Sequence, residues 1–104
     1  MERGEQSTPV DRQRLDKWLF FTRLLKSRAI AQKRISDGEV RVNGRVAAQP
    51  SLSLKPGDRV ELVSWRGIRS YVHTVTVRAG GDRRGPYEEA RLLYEDHGCE
   101  EREV

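Results

Sequence analysis

The segment from Arg14 to Gly44, RLDKWLFFTRLLKSRAIAQKRISDGEVRVNG, constrains the fold more than any other part of the chain. Its apolar residues first recur at helical spacing, with Leu15, Trp18, Leu19 and Thr22 forming one stripe, and Asp11 stands where that helix would be capped. Arg14, Lys17 and Phe21 lie off the stripe. Ser27 is placed to cap a second helix, Arg28 to Asp37, which would turn Ala31 and Ile35 inward. Arg28, Gln32 and Ser36 then share another face, with Lys33 beside them. Gly38 ends the helix, because glycine takes the left-handed conformation at a C-terminal cap without strain. A strand over Glu39–Val42 follows, and Asn43-Gly44 predicts a type I′ hairpin turn, which needs positive φ at both central residues. The chain returns as a strand over Arg45–Ala47.

Downstream the pattern changes to alternation broken by turns. Pro50 interrupts the return strand, and Lys55-Pro56-Gly57-Asp58 reads as a turn. Val60, Leu62 and Ser64 continue as a strand, Arg66-Gly67 turns again, and Ser70–Arg78 carries Val75 and Val77 between Thr74 and Thr76. Gly80-Gly81-Asp82 closes that strand. Ala90, Leu93 and Tyr94 fall at helical spacing and predict a short helix over Tyr87–Asp96. The expected fold is α+β, with two N-terminal helices packed on a small, mostly antiparallel sheet and a short C-terminal helix. The expected organisation is a disordered N-terminus over 1–11, a first unit over 12–64, a completing strand and helix over 65–96, and a frayed acidic tail over 97–104.

Charge is distributed unevenly. Residues 12–45 hold ten Lys/Arg against three Asp/Glu, whereas residues 88–104 hold two Arg against seven acids. A local excess of seven positive charges points to a polyanionic partner, and nucleic acid is the expected class. With 104 residues, 36% of them hydrophobic, the chain buries only about two-thirds of its unfolded surface, leaving little room for an enclosed active site. The single cysteine, Cys99, cannot form an intramolecular disulfide, and no apolar run approaches the ~20 residues of a membrane span. A cytoplasmic monomer is expected.

Catalytic chemistry finds no support in the residue pattern. His73 and His97 lack partners at metal-ligand spacing, Cys99 sits among carboxylates that disfavour its thiolate, and Gly80-Gly81 opens no phosphate loop. No enzyme activity, cofactor, metal or small-molecule substrate is expected. The basic set reads differently: Arg14, Lys17, Arg23, Lys26, Arg28, Lys33, Arg41 and Arg45 all fall within two helices and one hairpin. Phosphate recognition uses many cationic donors on a rigid support. Ser27 beside Arg28 at a helix N-terminus adds free N–H groups, while Gln32 and Asn43 suit 2′-hydroxyls or base edges. Any one of these residues reads equally well as a solubilising charge; the group does not. Asp16 opposes the sign of the patch and is expected to orient an arginine, Arg28 in particular. Trp18 belongs to the core stripe. Phe20 and Phe21 cannot share one buried face, and Trp65 either stacks on a base or caps its hairpin.

RLDKWL, then SRAIAQKRISDGEVRVNG, then PS and LKPGDRVEL, resembles the RNA-binding domain named after ribosomal small-subunit protein S-four, the alpha-L motif, over residues 13–63. Trp18-Leu19, together with Arg84, Pro86, Glu89-Ala90 and Leu92-Leu93-Tyr94-Glu95, is similar within that superfamily to the ribosome-associated heat-shock protein fifteen family, to about residue 96. The resemblance implies a stand-alone RNA-binding protein that recognises structured rRNA or tRNA. It further implies contact with free large ribosomal subunits still carrying a nascent chain on tRNA, and a role in their recycling. The implied RNA face comprises Arg14, Lys17, Arg23, Lys26, Ser27, Arg28, Lys33, Arg41 and Asn43. That family often continues into a long basic C-terminal extension; here the tail is acidic, so a contact made through such an extension is not expected. Two other readings remain: a protein–protein adaptor whose acidic tail docks a basic partner, and an accessory subunit of an RNA-modifying enzyme.

Overall fold

The computed structural model describes residues 12–102. The expected disordered N-terminus and the Asp11 cap lie outside them. In chain order the elements are β1 (Gln13–Arg14), α1 (Leu15–Phe21), α2 (Arg28–Ser36), β2 (Val40–Val42), β3 (Arg45–Val46), β4 (Ser53–Leu54), β5 (Arg59–Arg66), β6 (Arg69–Val77), α3 (Tyr87–Ala90), a 3-10 turn (Arg91–Leu93) and β7 (Tyr94–Arg102). Among the described residues, β3-β2-β5-β6-β7 form an antiparallel sheet in that spatial order, and β1 pairs with β4 in a small second one. The α+β architecture matches the expectation from sequence.

Side-chain alternation decides where the helices sit. Val40 faces Leu62, Val42 faces Val60, and Val60 faces Val75 across the strands, so one sheet face is apolar. Leu15, Trp18 and Leu19 of α1 and Ala31 and Ile35 of α2 close over that face, all but fully buried. Trp18 is the centre of this core. Its ring meets Tyr94 edge-on at 6.3 Å, and its indole N–H donates to the Ala79 carbonyl at 3.0 Å. A buried indole thus keeps its one donor satisfied.

Helix α1 starts later than the sequence predicts. Arg14 occupies the cap position and its side chain makes no capping bond. The loop before β4 does that work: Leu15 N–H donates to the Leu52 carbonyl at 2.8 Å and Asp16 N–H to the Pro50 carbonyl at 3.2 Å. Helix α2 follows the prediction closely, with Ser27 Oγ accepting from Ile30 N–H at 3.0 Å and Gly38 at φ +78°. Asn43 (φ +53°) and Gly44 (φ +85°) make the expected hairpin turn.

The C-terminal segment departs from expectation. Helix persists only to Leu93; from Tyr94 to Arg102 the chain is the edge strand β7, paired along β6. Residues 97–102 are therefore part of the sheet rather than a frayed tail. Gly98 makes this possible: at φ +88° it absorbs the extra β7 residue where the register shifts between His73 and Val75. The Asp96 carboxylate accepts its N–H at 2.8 Å.

Candidate RNA-binding face

The site is built around a buried carboxylate. Asp16 lies in the first turn of α1, where the helix dipole favours negative charge, and its side chain is wholly covered. Arg14 donates to both of its oxygens through Nε and Nη2 at 3.1 Å. From α2, Gln32 Nε2 donates to Oδ2 at 2.9 Å and Arg28 Nη2 at 3.3 Å, while Lys17 N–H donates to Oδ1 at 2.8 Å. Burial alone would push this carboxyl up, but the bonds from Arg14, Gln32 and Arg28 outweigh it and hold the group well below the ordinary carboxylate range. The Arg14 guanidinium is shifted up in turn, chiefly by its hydrogen bond to Asp16.

One carboxylate of α1 thus aligns two guanidiniums and an amide, Arg14 from the end of β1 and Arg28 and Gln32 from α2, and leaves the cluster net positive. A guanidinium carries five N–H donors. Arg28 gives one of its donors to Asp16, and its buried Nε has no acceptor among the described residues. The Arg14 and Arg28 side chains remain 45% and 41% exposed, enough to meet a phosphate while anchored from below. Lys33 stands on the outer side of α2, 3.1 Å from Asp37 one turn on. Ser27 is committed to the helix cap.

The remaining sequence candidates separate. Arg23 adopts φ +62° in the turn after α1, and its Nε donates to the Gly85 carbonyl at 2.6 Å. Arg84 answers by donating to the Phe20 carbonyl and lying 4.9 Å over the Phe20 ring at the end of α1, where Phe20 and Phe21 are both half-buried. Lys26 is exposed in the same turn. Asn43 spends its amide on the fold, accepting from Arg59 N–H at 2.9 Å and donating to Asp58 at 3.1 Å. Asp58 is buried, yet its bonds from Lys55 and Asn43 keep its carboxyl low. Arg41 pairs opposite Glu61, on the sheet face turned away from the helices, and Arg45 is exposed at the β3 edge opposite Val42. The geometry therefore gathers Arg14, Lys17, Arg28, Gln32 and Lys33 on the helical side, and places Arg41 across the sheet from them.

Sequence reasoning missed Arg34. Its Nε pairs with Glu39 at 3.1 Å and its Nη2 donates to the Val63 carbonyl at 2.5 Å, fastening α2 to β5. No spacing rule in the sequence marks such a contact, since it joins residues 29 positions apart.

This arrangement of two helices on an antiparallel sheet with an Asn-Gly hairpin defines an S4-domain protein, and the S4 domain model matches residues 13–60. Heat shock protein 15 of Escherichia coli (strain K12) is 39% identical over 90 residues, covering 85% of this chain and 62% of that protein. The trimeric structure of Vibrio cholerae Heat Shock Protein 15 superposes with a TM-score of 0.70 at 32% identity, covering 82% of this chain and 81% of that one. The chain belongs to the heat shock protein 15 family. It spans 62% of the length of the Escherichia coli relative. The RQC P-site tRNA stabilizing factor of Streptococcus pneumoniae is 41% identical over 49 residues, 47% of this chain and 54% of that protein.

Proposed function

We propose that this protein is a non-enzymatic RNA-binding protein that engages structured rRNA or tRNA on the large ribosomal subunit and assists recycling of stalled or free subunits in the cytoplasm. The observation that carries this reading is the Asp16-centred cluster, which presents Arg14, Arg28 and Gln32 from one rigid base on the outer side of α1 and α2. Such a cluster recognises the phosphate and 2′-hydroxyl pattern of a folded RNA rather than a sequence. The names of its relatives support the setting: one is a P-site tRNA stabilizing factor, and another, 40% identical over 60 residues, is a small ribosomal subunit protein.

The adaptor reading has less to stand on. The acidic segment it would use is a strand, and Glu101 and Asp96 pair with Arg69 at 2.7 Å and with His73 at 2.8 Å inside the same sheet. Monomeric behaviour is part of the proposal. Like charges along β7 oppose the pairing of two copies edge to edge, although the Vibrio cholerae relative is described as trimeric.

Sucrose-gradient sedimentation of a lysate containing the tagged protein tests the ribosomal part. Co-migration with free large subunits at low salt, lost in an Arg28→Glu/Lys33→Glu variant, is the expected result. A protein that stays at the top of the gradient at every salt would refute it.

A further inference from the structure

Strands β5 and β6 run past the helices, with β7 alongside β6 as far as Ser70, and end in a hairpin turn that has no counterpart in the core. Arg34 makes the last helical contact with this hairpin, at the Val63 carbonyl and the Ser64 hydroxyl. Every residue from Ser64 to Arg69 is exposed. At the strand rise of about 3.3 Å per residue, the turn stands about 10 Å beyond that contact. Arg66 pairs with Arg69, and Gly67 at φ +64° takes the first central position, as a type II′ turn requires. Ile68, at the second, is 86% exposed, and Trp65 is 52% exposed. Between Ser64 and Tyr71 the chain carries two arginines and no acid. Arg66 lies 5.7 Å over the Tyr71 ring, and Arg69 is steadied by Glu101 at 2.7 Å.

We propose that this tip is a second RNA-contacting element that takes one unpaired nucleobase on the Trp65 ring, with Arg66 and Arg69 directed at the adjoining phosphates. The inference rests on the RNA-binding reading and adds to it a substrate requirement: a single-stranded nucleotide next to the structured region. An A-form duplex hides its base faces in the stack, so an exposed indole gains contact only from a base that is already unstacked. The turn itself is basic: among the described residues its one paired acid is Glu101 on Arg69, and Arg66, free of such a pair, matches a polyanion and distinguishes this tip from an apolar protein-docking knob. Arg34 ties the hairpin to the helix that carries Arg28 and Lys33, so both elements move as one body; Trp65 alternates onto the sheet face away from that helix, and a single RNA occupies both by rounding the end of the sheet. The second contact is then made at high effective concentration.

The probes are a fully paired synthetic RNA stem and the same stem with a single-stranded adenosine tail, titrated by fluorescence anisotropy. The tail is expected to tighten binding of the unaltered protein about tenfold, the order that one stacked base contributes. Trp65→Phe should keep that gain, while Trp65→Ala and Trp65→Leu should lose it and bind the bare stem unchanged. Trp18 is buried, so emission quenched by acrylamide comes from Trp65, and the tailed RNA should protect it. A tail that adds nothing, or a gain that survives Trp65→Ala, would overturn the inference while leaving stem binding intact; a tip directed at protein would give that result. Failure of the unaltered protein to bind either probe would remove the RNA reading itself, and the inference with it.

Discussion

Arg28 of α2 reaches Asp16 of α1 with Nη2 3.3 Å from Oδ2, on the same oxygen that Gln32 holds at 2.9 Å. The contact joins two helices through one buried charge, so the orientation of the basic face and the packing of the helices depend on each other. Mobile side chains lose conformational freedom when they bind a ligand; in the proposed RNA-binding face part of that ordering has already occurred in the fold.

Replacing Asp16 separates these two consequences. Asp16→Asn keeps the shape but loses the charge-assisted bonds, and is expected to destabilise the fold by about 1–3 kcal/mol. RNA affinity should fall as well, although the substitution raises the net positive charge. Urea unfolding and an anisotropy titration measure the two effects. Tighter RNA binding by the Asn variant would show that Asp16 is only a countercharge.

The pH dependence follows from the same group. The folded state holds the Asp16 carboxyl below its unfolded value of about 4. Its stabilising contribution is therefore fully present above that value and is lost as pH falls below it toward the folded one. Asp58 and Asp96 are shifted in the same direction. Stability should decline in acid below about pH 4. That decline should be shallower in Asp16→Asn, and Asp16 should contribute no slope between neutrality and pH 6. Equal acid slopes in the two proteins would contradict the assignment.

Asn43 is expected to matter for the hairpin rather than for RNA. It combines φ +53° with two bonds to the 58–59 segment. Asn43→Ala should cost about 2 kcal/mol through strain and lost hydrogen bonds, and Asn43→Gly should recover the strain part. At temperatures where the variants remain folded, RNA affinity should be unchanged.

The helical half of the molecule was legible because each signal there is local: a stripe at helical spacing, a Ser cap three residues from its donor, and an Asn-Gly turn. Asp16 was legible as well, since a lone acid within a basic run needs partners. The missed features depend on distant residues. Nothing near Arg14 announces that carbonyls at 50 and 52 will cap α1. Strand β7 escaped because an edge strand with one buried residue carries no alternation, and Ala90, Leu93 and Tyr94 imitate a helical stripe. Arg23 and Asn43 joined the candidate face by charge and polarity, whereas their hydrogen bonds serve the fold.

The edge strand makes its own prediction. Deleting residues 97–104 removes the β7 partners of Ser70–His73 and uncovers the edge of β6. The deletion should lower the thermal midpoint and promote self-association, as measured by calorimetry and light scattering. An unchanged midpoint would mean that β7 adds nothing to the sheet. Neutralising Glu95 and Glu100 to Gln tests the acidic charge without removing the strand.

The salt dependence of RNA binding tests the central claim most directly. Anisotropy titrations of the fully paired RNA stem, which lacks the unpaired nucleotide that would bring phosphates to Arg69, against increasing KCl, for the unaltered protein and for Arg28→Ala and Arg69→Ala, give the number of phosphates neutralised. A log–log slope a few units negative is expected, made shallower by about one in Arg28→Ala and little altered in Arg69→Ala. Binding that ignores salt, or that responds equally to both substitutions, would contradict a localised phosphate-binding face organised by Asp16.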